Sequence, residues 1–325
     1  MESHGTEDSQ YSLVVRKANF GLPTACPICL PIYVYLKLAR FPFLVEYKSN
    51  YPDSDEIPYV DHGSYVAFNN VEGGVIQRLK EDSIVDLDAE FCSLPEWISL
   101  KALLSSWLED AIMYELWIGS DGKSAWNIYY SDLPWVIGKI LFLKQVRSVK
   151  QRLRITAENS ERSEKEIYQK AKAAYGAISM RLGEERFIFE NRPSSLDALL
   201  VAHVLFIIQA FPETSRLRTY LTEFDNIVRY AERIKAQFLH DNSSSSIPMF
   251  QPGASSQRRN ASYAGSKNKK KNKREETEEE KLSSRKAKYF LITQMVAVLL
   301  FLSIMGGGYG LFDVDAIEDV DQNYD

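Results

Sequence analysis

Ile57-Pro58-Tyr59-Val60-Asp61-His62-Gly63-Ser64-Tyr65-Val66-Ala67 reads as a β-hairpin. Tyr59-Val60 and Ser64-Tyr65-Val66-Ala67 are β-prone runs, and Asp61-His62-Gly63 between them is turn-forming. Ile57-Pro58 stands just before the first of these strands. Upstream, Phe43-Leu44-Val45-Glu46-Tyr47 reads as another strand. Before it, residues 27–38 form an apolar stretch about one helix long, Gly21 and Pro23 mark a loop, and Leu13-Val14-Val15 is a first short strand. Downstream, residues 71–81 read as a helix that closes the unit. Residues 10–82 therefore follow the order β-α-β-β-β-α.

That order is the thioredoxin-like plan in its glutathione-transferase form, an α/β domain that keeps a cis-proline before its third strand, the place of Pro58. Residues 95–240 carry helical periodicity almost throughout and read as an all-α, glutathione-transferase-like second domain. Pro95-Glu96-Trp97 opens one helix, and residues 160–182 form another that is rich in charge. A third starts at Pro193-Ser194-Ser195-Leu196-Asp197-Ala198 and runs on as an apolar stretch. Ser194 with Asp197 three residues later is a capping-box pair, whose side chains satisfy N–H groups of the first turn. Its role is folding. His203 on that apolar helix reads as a satisfied core histidine rather than a ligand.

The formal net charge of −5 averages three different environments along the 325 residues. Residues 1–256 hold 27 basic and 33 acidic side chains, residues 257–288 hold 12 basic and 5 acidic, and residues 313–325 hold six acids and no base. Residues 1–9 are polar and read as disordered, with neither the apolar core of a secretory signal nor the Arg-rich character of a presequence. Residues 289–312, YFLITQMVAVLLFLSIMGGGYGLF, contain no charged residue and are long enough to cross a bilayer as one helix. Arg285, Lys286 and Lys288 abut the amino end of this span, which keeps that side cytosolic. The 13 acidic-tail residues 313–325 then cross the membrane, so the span is a tail anchor. Residues 241–288 are too poor in apolar side chains to fold and act as a flexible basic tether. The KNKKKNKR run within it reads as a leash attracted to anionic head groups rather than as a nucleic-acid patch.

Only three cysteines are present, too few for a disulfide-stapled secreted domain. Cys26-Pro27-Ile28-Cys29 is the one arrangement with a catalytic look, because a thiolate at a helix N-terminus is stabilised and glutaredoxins place C-P-x-C after their first strand. Three features weigh against catalysis. Pro31 points to a helix beginning near residue 31, with both cysteines left in the preceding loop. Asn69-Asn70 follows the fourth strand, where glutathione-using relatives carry an acid and a Ser or Thr that hold the peptide. Two cysteines in an apolar setting also serve simply as small buried side chains. The expectation is no catalytic residue, with Cys26 and Cys29 as the runner-up. No cofactor is expected, and no metal, since there is no second Cys/His pair.

The chain resembles the metaxins, specifically the plant-type metaxin. The resemblance is carried by Phe20-Gly21-Leu22-Pro23-Thr24, residues 51–59 (YPDSDEIPY), Asn69-Asn70, Ser131-Asp132-Leu133-Pro134-Trp135, and residues 189–198 (FENRPSSLDA). It covers residues 10–240 and the tail anchor, with Glu190 where the family usually has glycine. The resemblance implies a glutathione-transferase-like fold without enzymatic activity. It implies a cytosol-facing subunit of the mitochondrial outer-membrane sorting and assembly machinery, acting in protein import and β-barrel insertion. The implied partners are the β-barrel insertase, other assembly and translocase subunits, mitochondrial precursor proteins and membrane lipid, with no nucleic acid. The rival reading is a membrane-tethered, glutaredoxin-like or glutathione-transferase-like thiol enzyme using Cys26 and Cys29.

Overall fold

A computed structural model describes residues 10–48, 56–189 and 191–239. The expected tether, membrane helix and acidic tail, residues 241–325, lie outside the described residues. The chain runs β1 (Ser12–Val15), α1 (Cys29–Leu38), β2 (Leu44–Tyr47), β3 (Tyr59–His62), β4 (Tyr65–Phe68) and α2 (Gly74–Glu81). The sheet order is β2-β1-β3-β4, with β2 parallel to β1 and the other pairs antiparallel. The Ile57–Pro58 peptide bond is cis.

Strand ends shift by a residue from the sequence reading, and two larger shifts have a glycine cause. Asp61 and His62 belong to β3, and the turn tightens onto Gly63 (φ 62°) and Ser64, because glycine accepts the left-handed backbone that a two-residue hairpin needs. The closing helix starts at Gly74 rather than residue 71, since Gly73 and Gly74 both have positive φ and keep residues 71–73 out of the helix.

The second part is helical. Pro95 opens α3 (Pro95–Ala102), which continues through π-helical turns into α4 (Glu109–Tyr114) and on to Gly119. There follow α5 (Lys123–Tyr129), α6 (Trp135–Arg152), α7 (Ser160–Leu182), α8 (Ser195–Ala210), α9 (Arg216–Thr222) and α10 (Asp225–Ile234). Helix α8 is apolar on every side, so it must be covered all round. Only Leu199, Ile208 and Gln209 are less than fully buried along it. It packs on α1 of the first domain and on α10 of the second, so one core runs through both.

The amino end of α8 is where the buried polar groups meet. The expected capping box is present, and Asp197 is wholly buried. One Asp197 carboxylate oxygen accepts from Ser194 N–H and Ser194 Oγ at 2.7 Å each, and the other accepts from Ile188 N–H at 2.8 Å and from the Tyr230 hydroxyl. Asp88, in the segment linking the domains, accepts from Ser195 N–H at 2.7 Å and pairs with Lys80 on α2. Tyr35 of α1 holds the same linker, donating to Val85 O at 3.0 Å and accepting from Leu87 N–H at 3.3 Å. His203, in mid-helix, is a core histidine as expected. Its Nε2 lies 2.7 Å from the Tyr175 hydroxyl, and burial pushes it down to about 3.

Removing one partner of a buried ion pair strands the other, which is costly. Asp88→Ala is therefore expected to lower unfolding free energy by about 3–5 kcal/mol. Asp88→Asn should recover part of that loss, because an amide oxygen still accepts from Ser195 N–H. Chemical denaturation of the three proteins tests this; equal midpoints for wild type and Asp88→Ala would refute it.

Candidate functional site

The end of β1 and the start of α1 bring a charged side chain to the cysteines. Arg16 follows β1 directly and is buried, with its guanidinium carbon 4.9 Å from the centre of the Tyr129 ring. Helix α1 begins at Cys29, not near Pro31. Pro31 is its third residue, a place where the missing N–H has no intrahelical role. The Cys26 carbonyl accepts from Cys29 N–H (3.1 Å) and Leu30 N–H (3.0 Å), so Cys26 sits at the mouth of the first turn. Cys29 is thus the first residue of the helix, contrary to the expectation of a loop, whereas Cys26 stays in the loop that leads into it, as expected; their setting is not purely apolar.

Burial pushes the Cys26 thiol up, but a hydrogen bond with Cys29, the charge of Arg16 and a hydrogen bond with Tyr129 outweigh it and bring it to about 6. The Tyr129 hydroxyl lies 3.6 Å from the Cys26 sulfur. Burial also pushes Tyr129 well up, so its hydroxyl keeps its proton and donates to a thiolate. Cys29 moves the other way: burial raises it, and the neighbouring Cys26 sulfur raises it further. The pair is asymmetric, with one thiol lowered and the other raised, and both side chains are buried. Cys92 is exposed in the linker and lines neither lobe of the cleft.

Cys29 lies buried behind Cys26, which borders a cleft between the two domains. Its polar lobe, about 500 Å³, is bordered by Arg16, Cys26, Asn69, Asn70, Gln145 and Arg152. Its apolar lobe, about 490 Å³, is bordered by Ile28, Ile32, Val71, Val75, Leu104 and Ile112. Ile28 and Val71 are half exposed there, unusual for such residues. Lys17 spans the domains beside the cleft, donating to Ser131 Oγ (2.6 Å) and to Asp132 (2.7 Å). Among the described residues, no group of three His, Cys, Asp or Glu side chains could hold a metal ion.

Sequence reasoning found Cys26, Cys29 and Asn69-Asn70 but missed Arg16, Tyr129 and Arg152. Arg16 offered one signal, a lone charge ending the apolar run Leu13-Val14-Val15. Tyr129 and Arg152 come from the other domain and offered none.

Residues 27–122 match the family model of the glutathione S-transferase N-terminal domain, and residues 171–234 that of the glutathione S-transferase C-terminal domain. The mitochondrial outer membrane import complex protein METAXIN of Arabidopsis thaliana is 55% identical over 302 residues, covering 93% of this chain and 95% of that protein. Metaxin-1 of Mus musculus is 25% identical over 253 residues, covering 72% of this chain and 77% of that protein. A crystal structure of glutathione transferase GSTFuA3 from Phanerochaete chrysosporium covers 70% of this chain and 96% of its own, with a TM-score of 0.50 and 11% identity. At that identity the likeness is one of fold alone.

The polarised thiol can be titrated. In a Cys92→Ser background, the thiolate ultraviolet absorbance should rise with a midpoint near pH 6. Replacing Arg16 by Met should move the midpoint up by at least about one unit, because the compensating charge is lost while burial remains. A midpoint in the ordinary thiol range for wild type would remove the electrostatic role given to Arg16.

Proposed function

The chain belongs to the metaxin family, and from that premise we propose that it is a non-enzymatic, cytosol-facing receptor and assembly subunit for protein import and β-barrel insertion at the mitochondrial outer membrane. Homologues known as mitochondrial outer membrane import proteins support a role in protein import. One structural observation carries the binding mechanism: the interdomain cleft is open and two-lobed, with one lobe mainly apolar, Arg16 bordering the other, and Arg152 bordering both. An extended precursor segment presents both kinds of group. Its apolar side chains would cover Ile28 and Val71, and its carboxylates or carbonyls would meet the guanidinium groups. Asn69-Asn70 stands where glutathione-using relatives hold their peptide, which favours a binding scaffold over a transferase.

Residues 289–312 would supply the anchor, with the domains on the cytosolic side, residues 241–288 as tether and residues 313–325 in the intermembrane space. Partners are then the β-barrel insertase, further assembly and translocase subunits, and precursors in transit.

Native purification from mitochondria should recover the chain with the barrel insertase. A chain ending at residue 288 should be found in the cytosol. Ile28→Asp with Val71→Asp, both at exposed positions, should fold normally, keep the insertase and lose at least about fivefold in precursor retention, as desolvated contacts at a binding-site centre dominate affinity. Undiminished precursor capture by that variant would place the binding site elsewhere.

The polarised Cys26 favours a second reading, thiol–disulfide exchange within the same cleft. Cys26→Ser with Cys29→Ser separates the two. Serine cannot supply a thiolate but nearly preserves volume. Binding alone predicts normal import by a variant that melts like wild type; a folded variant that fails in import would favour exchange.

A further inference from the structure

Helix α6 is built unlike its neighbours. Its fully buried residues are Gly138 and Val149. Gly138 fixes the inward side, because a Cβ there would lie 2.9 Å from the Trp126 ring. The opposite side carries Val136, Ile140 and Leu143 at the i, i+4, i+7 spacing of a helical stripe, next to Ile137. Ile137 is 50% exposed, Leu143 56%, and Trp135 at the amino end 70%. The helix contains five basic residues and no acid. Arg152 pairs with Glu109, whereas Lys139, Lys144, Arg147 and Lys150 are exposed around the apolar stripe.

We propose that the outer face of α6 is a lipid-docking surface, seated on the anionic head groups of the membrane. The inference rests on the membrane placement proposed above and adds a second point of contact. Charge decides between lipid and protein as the occupant. Protein interface cores are depleted in lysine, yet here lysines and an arginine surround the apolar residues on one face. At a bilayer surface that mixture is favourable. Val136, Ile140 and Leu143 enter the head-group boundary, and the long basic side chains extend to the phosphates. A tryptophan at the helix end suits the same depth.

The test uses the full chain reconstituted in vesicles of phosphatidylcholine, with or without phosphatidylinositol, carrying bromine on the acyl chains. Subtracting the emission of Trp135→Tyr isolates Trp135 from the other four tryptophans. Trp135 should be quenched in the anionic vesicles, and quenching should fall at least about twofold without the anionic lipid or in Lys139→Gln, Lys144→Gln, Arg147→Gln, whose exposed positions leave the fold intact. Trp135 left open to aqueous iodide, or shielded from iodide yet unquenched by bromine because protein covers it, overturns the proposal. Flotation reads the anchor separately. A chain that floats with Trp135 in water keeps the anchor and loses this surface. A chain that binds only anionic vesicles with Trp135 quenched keeps this surface and loses the anchor; one that never floats loses both.

Discussion

The buried carboxylates of Asp88 and Asp197 hold the amino end of α8, and the two-domain arrangement depends on them. A helix that is apolar on all sides gains nothing from solvent, so α8 is stable only when α1 and α10 cover it together. Its first-turn N–H groups are then buried and need acceptors. Asp197 supplies one from within the helix, and Asp88 supplies the other from the linker while tied to Lys80 on α2. The cap of the second domain is thus completed by a residue that the first domain holds in place. Neither domain can reach its final packing alone.

That coupling shapes the cleft. Lys17 bound to Ser131 and Asp132 adds a second cross-link between the domains. The shared core and these contacts hold the two domains together beside Cys26 and Ile28, which limits the ordering entropy a bound segment must overcome. The chemistry inside is mixed. Arg16 and Tyr129 keep Cys26 polarised, whereas Asn69-Asn70 gives a cleft without the paired acid and hydroxyl of a glutathione site. A scaffold can retain an ionisable thiol where its structure already needs the surrounding groups: Arg16, buried against the Tyr129 ring, serves the domain contact whether or not the thiol reacts.

Much of this was legible because local signals agreed with the fold. Pro95 opening a helix, Ser194 and Asp197 capping another, and Ile57-Pro58 before a strand are short-range chemistry that survives in a single sequence. Helix α7 matches its expected span at both ends. The β3–β4 turn and the start of α2 shifted by a few residues because glycine backbone conformations, not propensity, set them. The start of α1 was misjudged through Pro31, since proline disrupts an interior turn but is harmless at the third position. Arg16 with Tyr129 was illegible for another reason: the two come from different domains, and their meeting depends on the packing of α8.

The motifs that carry the family resemblance gain a physical meaning from this arrangement. Ser131-Asp132-Leu133-Pro134-Trp135 binds Lys17 at one end and launches α6 at the other. Helix α6 then has two working sides. Gln145, Ser148, Val149 and Arg152 face the polar lobe of the cleft, while Val136, Ile140 and Leu143 face away from the protein. With the outer side on lipid, one helix, about 10 Å across, would separate a segment bound in the cleft from the bilayer surface. On the proposed reading, a segment held there would be presented beside the membrane.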